Sequence, residues 1–124
     1  MIGYVTLGTN DIARAARFYD ALLAEIGGQR FIETDSFIMW SAAPNRPALS
    51  VNKPHDGNPA TVGNGTMVAL VVKAPVQVNA VHAKALSLGG QDEGAPGPRR
   101  GQVYAGYFRD LDGNKLNVFC MIER

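Results

Sequence analysis

The pattern of apolar and polar positions in this chain occurs twice. An apolar, β-rich run over residues 2–7 leads into an amphipathic helical pattern that stops at Gly27-Gly28. A second run over 66–73 leads into another helical pattern that stops at Gly89-Gly90, about 63 positions later. The pattern predicts a tandem duplication, and a scaffold with two related halves usually carries its site between them.

The first helix is predicted from its start signal, its periodicity and its stop. Thr9-Asn10-Asp11 offers an N-cap and an acidic first turn, and Gly27-Gly28 supplies the left-handed stop. The apolar positions between them follow the i, i+3, i+4, i+7 spacing of one buried face. They are Ile12, Ala15, Ala16, Tyr19, Leu22, Leu23 and Ile26.

Three short strands over 30–33, 37–41 and 48–52 complete a βαβββ module in residues 1–53. Turn-forming residues then dominate, so we read 54–64 as a linker and 65–124 as the second module.

The second module repeats this plan, with Pro75 at the first helical position and an irregular strand across 91–100. The helical face is formed by Val78, Val81, Ala85 and Leu88.

The clearest hairpin joins strands 103–109 and 115–122 through the turn 110–114, whose glycine suits a left-handed position. Closing this turn pairs Tyr107 with Asn117 and Ala105 with Phe119 on one sheet face. The helix-covered face then receives the more apolar set, which is Phe108, Leu116, Val118 and Cys120.

The same parity leaves Tyr4 and Met67, which are equivalent in the repeat, on the face away from the helices. The predicted fold class is α+β, with two tandem βαβββ modules forming a curved mixed sheet around a central concavity and with helices outside. A small-molecule site is expected in that concavity.

Composition and cysteine content narrow the setting. The chain has 124 residues, 46% hydrophobic and 19% charged, which suits one globular domain that needs no disulfide bonds. Cys120 is the single cysteine, so a reducing compartment, the cytoplasm, is expected. The sequence has neither a signal-peptide pattern nor a long apolar span, so we expect neither export nor membrane insertion.

Charge argues against a nucleic-acid partner. The net charge is +1 and the basic residues are scattered, whereas nucleic-acid affinity depends on clustered phosphate neutralisation. Arg99-Arg100 lies in a Gly- and Pro-rich stretch that we read as a solvated loop.

Three segments carry a resemblance to a known family. They are GYVTLGTND at 3–11, AARFYDALL at 15–23 and YFRDLDGNKL at 107–116. With the two modules, they resemble the vicinal oxygen chelate superfamily, which includes glyoxalase I, bleomycin-resistance proteins, fosfomycin-modifying enzymes and extradiol dioxygenases. The resemblance implies a homodimer, often with both subunits lining each cavity. It says less about function, because one scaffold hosts several chemistries.

In metal-dependent members, histidine and glutamate side chains on the first strand of each module and on the last strand hold a divalent ion. The matching positions here are Tyr4, Met67 and Asn117. A phenol, a thioether and a neutral amide are poor ligands for zinc, nickel, manganese or iron. We therefore expect no metal and no other cofactor, as in the metal-free bleomycin-resistance type.

The other candidate constellations are weak. His55 lies in the turn-rich connection and His82 on the surface or a partly packed side of the second helix, without a third ligand. The turn 110–114 lacks the spacing of a calcium loop. Cys120 lies on the helix-covered face of its predicted strand, where a cysteine is usually an inert core residue.

Three functions remain open. The first is a metal-free protein that binds an aromatic or cationic small molecule in the groove. The second is a metal-dependent lyase or dioxygenase with non-standard ligands, and the third is a structural or regulatory dimer without a ligand. No catalytic residue is identified. The candidate ligand-binding residues are Tyr4, Trp40 (or Phe37, depending on strand register), Met67, Tyr107, Arg109, Asn117 and Phe119.

Overall fold

The structure, a computed structural model, describes residues 1–122. Contacts divide the chain into two compact units, Met1–Val62 and Gly63–Arg124. The first contains β1 Tyr4–Gly8, α1 Ile12–Ala24, β2 Gln29–Glu33, β3 Phe37–Ser41 and β4 Ala48–Asn52. The second contains β5 Val68–Val71, α2 Pro75–Ser87, β6 Gln91–Arg99, β7 Val103–Arg109 and β8 Lys115–Met121.

Both units are built to the same plan. Each has a four-stranded mixed sheet, in the order β1-β4-β3-β2 in the first and β5-β8-β7-β6 in the second. The first and last strands of each unit pair in parallel, and the other pairings are antiparallel. Helices α1 and α2 have 13 residues each and begin 63 positions apart, as the duplication predicts. The α+β class and the two tandem modules are confirmed, with one separate sheet in each unit.

Helix α1 packs on its sheet through the predicted apolar face. Phe18 adds to the predicted set, and its ring meets that of Tyr19 edge to face at 5.1 Å. Asp11 is the N-cap, because its side chain accepts a hydrogen bond from the Arg14 amide at 3.0 Å. It therefore lies just before the helix rather than in an acidic first turn.

Helix α2 begins at Pro75 as predicted, but its cap comes from inside the helix. The side-chain oxygen of Gln77 accepts from the amides of Lys73 and Ala74 at 2.9 and 3.2 Å. Its buried residues are Val78, Val81, His82 and Ala85. His82, expected at the surface or partly packed, is only 5% exposed.

The predicted hairpin is confirmed in both strands and register. Tyr107 pairs with Asn117 and Ala105 with Phe119. Gly113 has a φ of 92°, so the turn uses it in the left-handed region that favours glycine. The four residues predicted to lie under the helix are fully buried.

Strand ends differ from the prediction where the partner strand sets the limit. Strand β1, predicted over 2–7, pairs in parallel with β4 from Tyr4 to Gly8. Strand β5, predicted over 66–73, pairs with β8 only from Val68 to Val71. The stretch predicted as an irregular strand is β6, which pairs with β7 and shifts register twice. Within residues 1–122, no helix is long and apolar enough to span a membrane.

Candidate functional site

The candidate site lies on one face of the second sheet, opposite α2. Phe108 and Leu116 lie on the α2 side, and the strand alternation puts their neighbours on the other side. We call this second side the distal face. Its residues on β7 and β8 include Ala105, Tyr107, Lys115, Asn117 and Phe119.

Asn117 holds a buried acceptor on the distal face. The residue is 6% exposed, and its side-chain oxygen Oδ1 has no hydrogen-bond partner among the residues that the structure describes. A buried polar atom without a partner costs about 1–3 kcal/mol. A buried acceptor of this kind needs an explanation, and a donor from outside the chain, from water or from a ligand, is one.

Tyr107 lies directly across the β7–β8 pairing from Asn117. Two cationic groups lie near its ring: the Arg99 guanidinium and the Lys115 ammonium, each 5.5 Å from the ring centroid. Both distances are within the range of cation–π attraction. The distal face therefore combines an aromatic ring, two positive charges and an unpartnered acceptor.

The sequence pattern marks neither Arg99 nor Lys115 as a candidate. The surrounding glycines and prolines predict a solvated loop at Arg99. Those glycines have a local reason: a Cβ on Gly97 would lie 3.2 Å from Nη1 of Arg99, and one on Gly94 would lie 3.2 Å from the Tyr107 ring. Glycine thus leaves room for the arginine over the tyrosine.

Arg109, predicted to bind a ligand, is engaged within the protein. Its Nε donates to Glu93 at 2.6 Å, and its Nη1 donates to the Gly113 carbonyl at 2.9 Å. The side chain therefore ties the β7–β8 turn to β6. Its role in ligand binding stays a prediction.

His82 supports β7 from the α2 side. Its Nε2 lies 3.0 Å from the Asp92 carboxylate and 3.2 Å from the Tyr107 carbonyl. Both partners are acceptors, so Nε2 must carry the proton. The pKa of Asp92 is lowered, first by the hydrogen bond from the Gly94 amide and second by that from His82. This arrangement fixes the backbone that carries Tyr107.

Trp40 requires a correction. The sequence does not decide which side chains of β3 face the helix, and the structure pairs Trp40 with Leu49 on the α1 side of the first sheet. Its Nε1 donates to Asp20 on α1 at 2.8 Å, and the side chain is 1% exposed. Trp40 is therefore part of the helix–sheet core. Phe37, the alternative candidate, pairs with Asn52 on β4 and is partly exposed.

Asp20 is the polar centre beneath Trp40. Arg30 donates to both of its carboxylate oxygens, at 2.8 and 2.6 Å. The Arg30 hydrogen bond is the largest influence that lowers the pKa of Asp20, and the bond from Trp40 lowers it further.

The remaining predicted residues are placed as follows. Phe119 shares the distal face with Asn117 and is partly exposed. Met67 lies just before β5 and is 42% exposed. Tyr4 begins β1 in the first unit and is 58% exposed.

Three positions match metal ligands through the family resemblance, and their side chains do not fit a divalent ion of the usual kind. Tyr4, Met67 and Asn117 offer no carboxylate and no imidazole. Within residues 1–122, no group of three or more His, Cys, Asp or Glu side chains is arranged to hold a metal. The amide at Asn117 instead offers an acceptor for a neutral or cationic donor group.

The fold and this site define a two-module α+β protein with a polar and aromatic sheet face. The family model described as "Glyoxalase/Bleomycin resistance protein/Dioxygenase superfamily" matches residues 1–118. The chain therefore belongs to that superfamily. The search of curated proteins returned no match.

Solved structures agree with this assignment. A glyoxalase/bleomycin resistance protein from Albidiferax ferrireducens is 32% identical with a TM-score of 0.88, covering 97% of this chain and 98% of that one. A glyoxalase/bleomycin resistance protein/dioxygenase family enzyme from Burkholderia phytofirmans is 17% identical with a TM-score of 0.78. The match covers 97% of this chain and 98% of that one. A lactoylglutathione lyase from Agrobacterium tumefaciens is 18% identical with a TM-score of 0.72, covering 97% and 92%. The last two show the shared fold alone.

Proposed function

We propose that this chain is a metal-free small-molecule-binding protein of the glyoxalase/bleomycin-resistance type. The observation that carries the proposal is the buried, unpartnered Oδ1 of Asn117 opposite Tyr107. A binding site combines apolar or aromatic surface with a few placed polar groups, and the distal face has both. A bound ligand that donates a hydrogen bond to Asn117 would remove the cost of the orphaned acceptor.

The absence of a resident metal is part of the proposal. It is supported by the donor chemistry of Tyr4, Met67 and Asn117, which suits none of zinc, nickel, manganese or iron. The resemblance to metal-free members further favours a homodimer in the cytoplasm, with the ligand in a groove. These last points are expectations that follow from the family and from the single cysteine.

Two measurements test the proposal on the purified full chain. Elemental analysis should find nickel, zinc, manganese and iron well below one equivalent. Calorimetric titration with planar phenols, phenolic acids and aromatic cations should give binding to at least one compound, with the same Kd in the presence of EDTA. A stoichiometric metal, or binding that EDTA abolishes, would overturn the proposal, and so would failure across the whole panel.

A matched pair of variants locates the site. Asn117→Leu removes the acceptor, whereas Asn64→Leu makes the same change at an exposed turn position. We expect the first to weaken binding about tenfold, as the loss of one buried hydrogen bond does, and the second to leave it unchanged. Equal binding by both variants would contradict a role for Asn117. Light scattering coupled to gel filtration tests the expected homodimer.

A further inference from the structure

We propose that the ligand of the distal face is a small organic anion that also carries an O–H or N–H donor. This inference rests on the proposed function and names the ligand class of that same site. The anionic group would lie beside Tyr107, where it can pair with Arg99 or with Lys115, and the donor would pair with Oδ1 of Asn117.

The first support is the charge balance around Tyr107. The two acids of β6 are already engaged, since Asp92 bonds His82 and the Gly94 amide, and Glu93 bonds Arg109. Arg99 and Lys115 have no carboxylate partner among residues 1–122. Two uncompensated positive charges beside one partly exposed ring favour an anion.

The second support is that Arg99 is held in place before any ligand arrives. Its Nη1 donates to the Pro98 carbonyl at 3.1 Å and its Nη2 to the Ala95 carbonyl at 2.7 Å. Gly94 and Gly97 leave the space that this position requires. A preorganised charge loses less side-chain freedom on binding than a mobile one.

The third support is that these groups disfavour two classes of ligand, cations and molecules without a hydrogen-bond donor. The Tyr107 ring already faces two cations, so an aromatic or ammonium cation would meet like charges there. Oδ1 of Asn117 can only accept, so a ligand without a donor would leave it unpaired. The structure thus shifts the expected ligand from a cation to an anion with a donor, as in hydroxy or amino carboxylates.

The test uses ligands that share one ring and differ in charge or donor. Calorimetry with 3- and 4-hydroxybenzoate, the corresponding methoxybenzoates, hydroxybenzamides and hydroxybenzamidines separates the two features. We expect at least one hydroxybenzoate to bind about tenfold tighter than its amide and its methoxy analogue, and the amidines to bind weakest.

Charge variants assign the effect to the two cations. Lys115→Met and Arg99→Gln should each weaken hydroxybenzoate binding about fivefold to tenfold and leave amide binding unchanged. Lys84→Met removes the same charge from α2, on the other side of the sheet, and should change neither.

The outcomes separate this inference from the proposed function. Amidines that bind as tightly as the hydroxybenzoates, or charge variants that bind the anions like the unaltered chain, would overturn the anion assignment. Binding of neutral or cationic compounds alone would also overturn it and leave the proposed function standing. If neither this set nor the wider panel binds, both fail.

Discussion

The buried side-chain oxygen of Asn117 lies across the β7–β8 pairing from Tyr107, whose own carbonyl accepts a hydrogen bond from His82 on the opposite side of the sheet. One strand residue thus connects the helix-covered core to the distal face. Satisfied polar groups support β7 from the α2 side, whereas an unsatisfied one remains on the side where a ligand is proposed. The core polar network therefore positions the site without occupying it.

Replacing Asn117 by leucine should stabilise the ligand-free protein. The substitution removes a buried acceptor that has no partner and adds apolar volume of similar size, so the free energy of unfolding should rise by about 1 kcal/mol. Urea denaturation of the two proteins measures this change. A loss of more than about 1 kcal/mol would show that the amide already has a structural partner.

Asp20 should carry part of the acid sensitivity of the first unit. Its pKa is lowered in the folded state, chiefly by the Arg30 hydrogen bond, so the stability it contributes is complete above its unfolded pKa. This contribution is lost as the pH falls through the folded pKa. Unfolding free energies between about pH 6 and pH 2 should therefore decline less steeply in Asp20→Asn than in the unaltered chain.

Alanine at position 20 separates the Trp40 hydrogen bond from the ion pair. Asp20→Asn keeps an oxygen that can accept from Trp40 Nε1, whereas Asp20→Ala leaves this buried donor unpaired. The alanine variant should lose about 1–3 kcal/mol relative to the asparagine variant at neutral pH. Equal stability of the two would mean that the Trp40 bond contributes nothing.

Gly90→Ala should destabilise the second unit. A Cβ at this position would lie 2.8 Å from two backbone carbonyl oxygens, those of Ala85 and Arg109, and neither can move as a flexible side chain can. We expect a loss of about 1–3 kcal/mol, as for other overpacked positions. Gly3→Ala is the control, because nothing lies within 4 Å of its Cβ position. A thermal melt in which both variants match the original protein would refute the close approach.

The features predicted correctly are those that depend on local chemistry. Pro75 and the glycine pairs mark helix ends through their own backbone geometry, and Gly113 marks the turn that fixes the Tyr107–Asn117 pairing. Strand parity then gives the two faces, because the side-chain period of a strand is two. A fixed turn thus determined the register of every residue in that hairpin.

The features that were missed depend on contacts between distant segments. Ile38, Met39 and Trp40 are all apolar, so β3 carries no alternation that shows which of them faces α1. The position of Arg99 depends on a β6–β7 pairing that shifts register twice, and no local pattern in a Gly- and Pro-rich stretch indicates it. The burial of His82 depends on Asp92 and a strand carbonyl, both of which pair with its Nε2.

The most direct test of metal-free binding at Asn117 is a crystal structure of the EDTA-treated protein with the tightest ligand from the titrations. We predict that the ligand's donor lies within about 3.2 Å of Oδ1 of Asn117, beside the Tyr107 ring, with no anomalous signal from a metal. A ligand bound away from Asn117, or a metal ion bridging the ligand to the protein, would contradict the account.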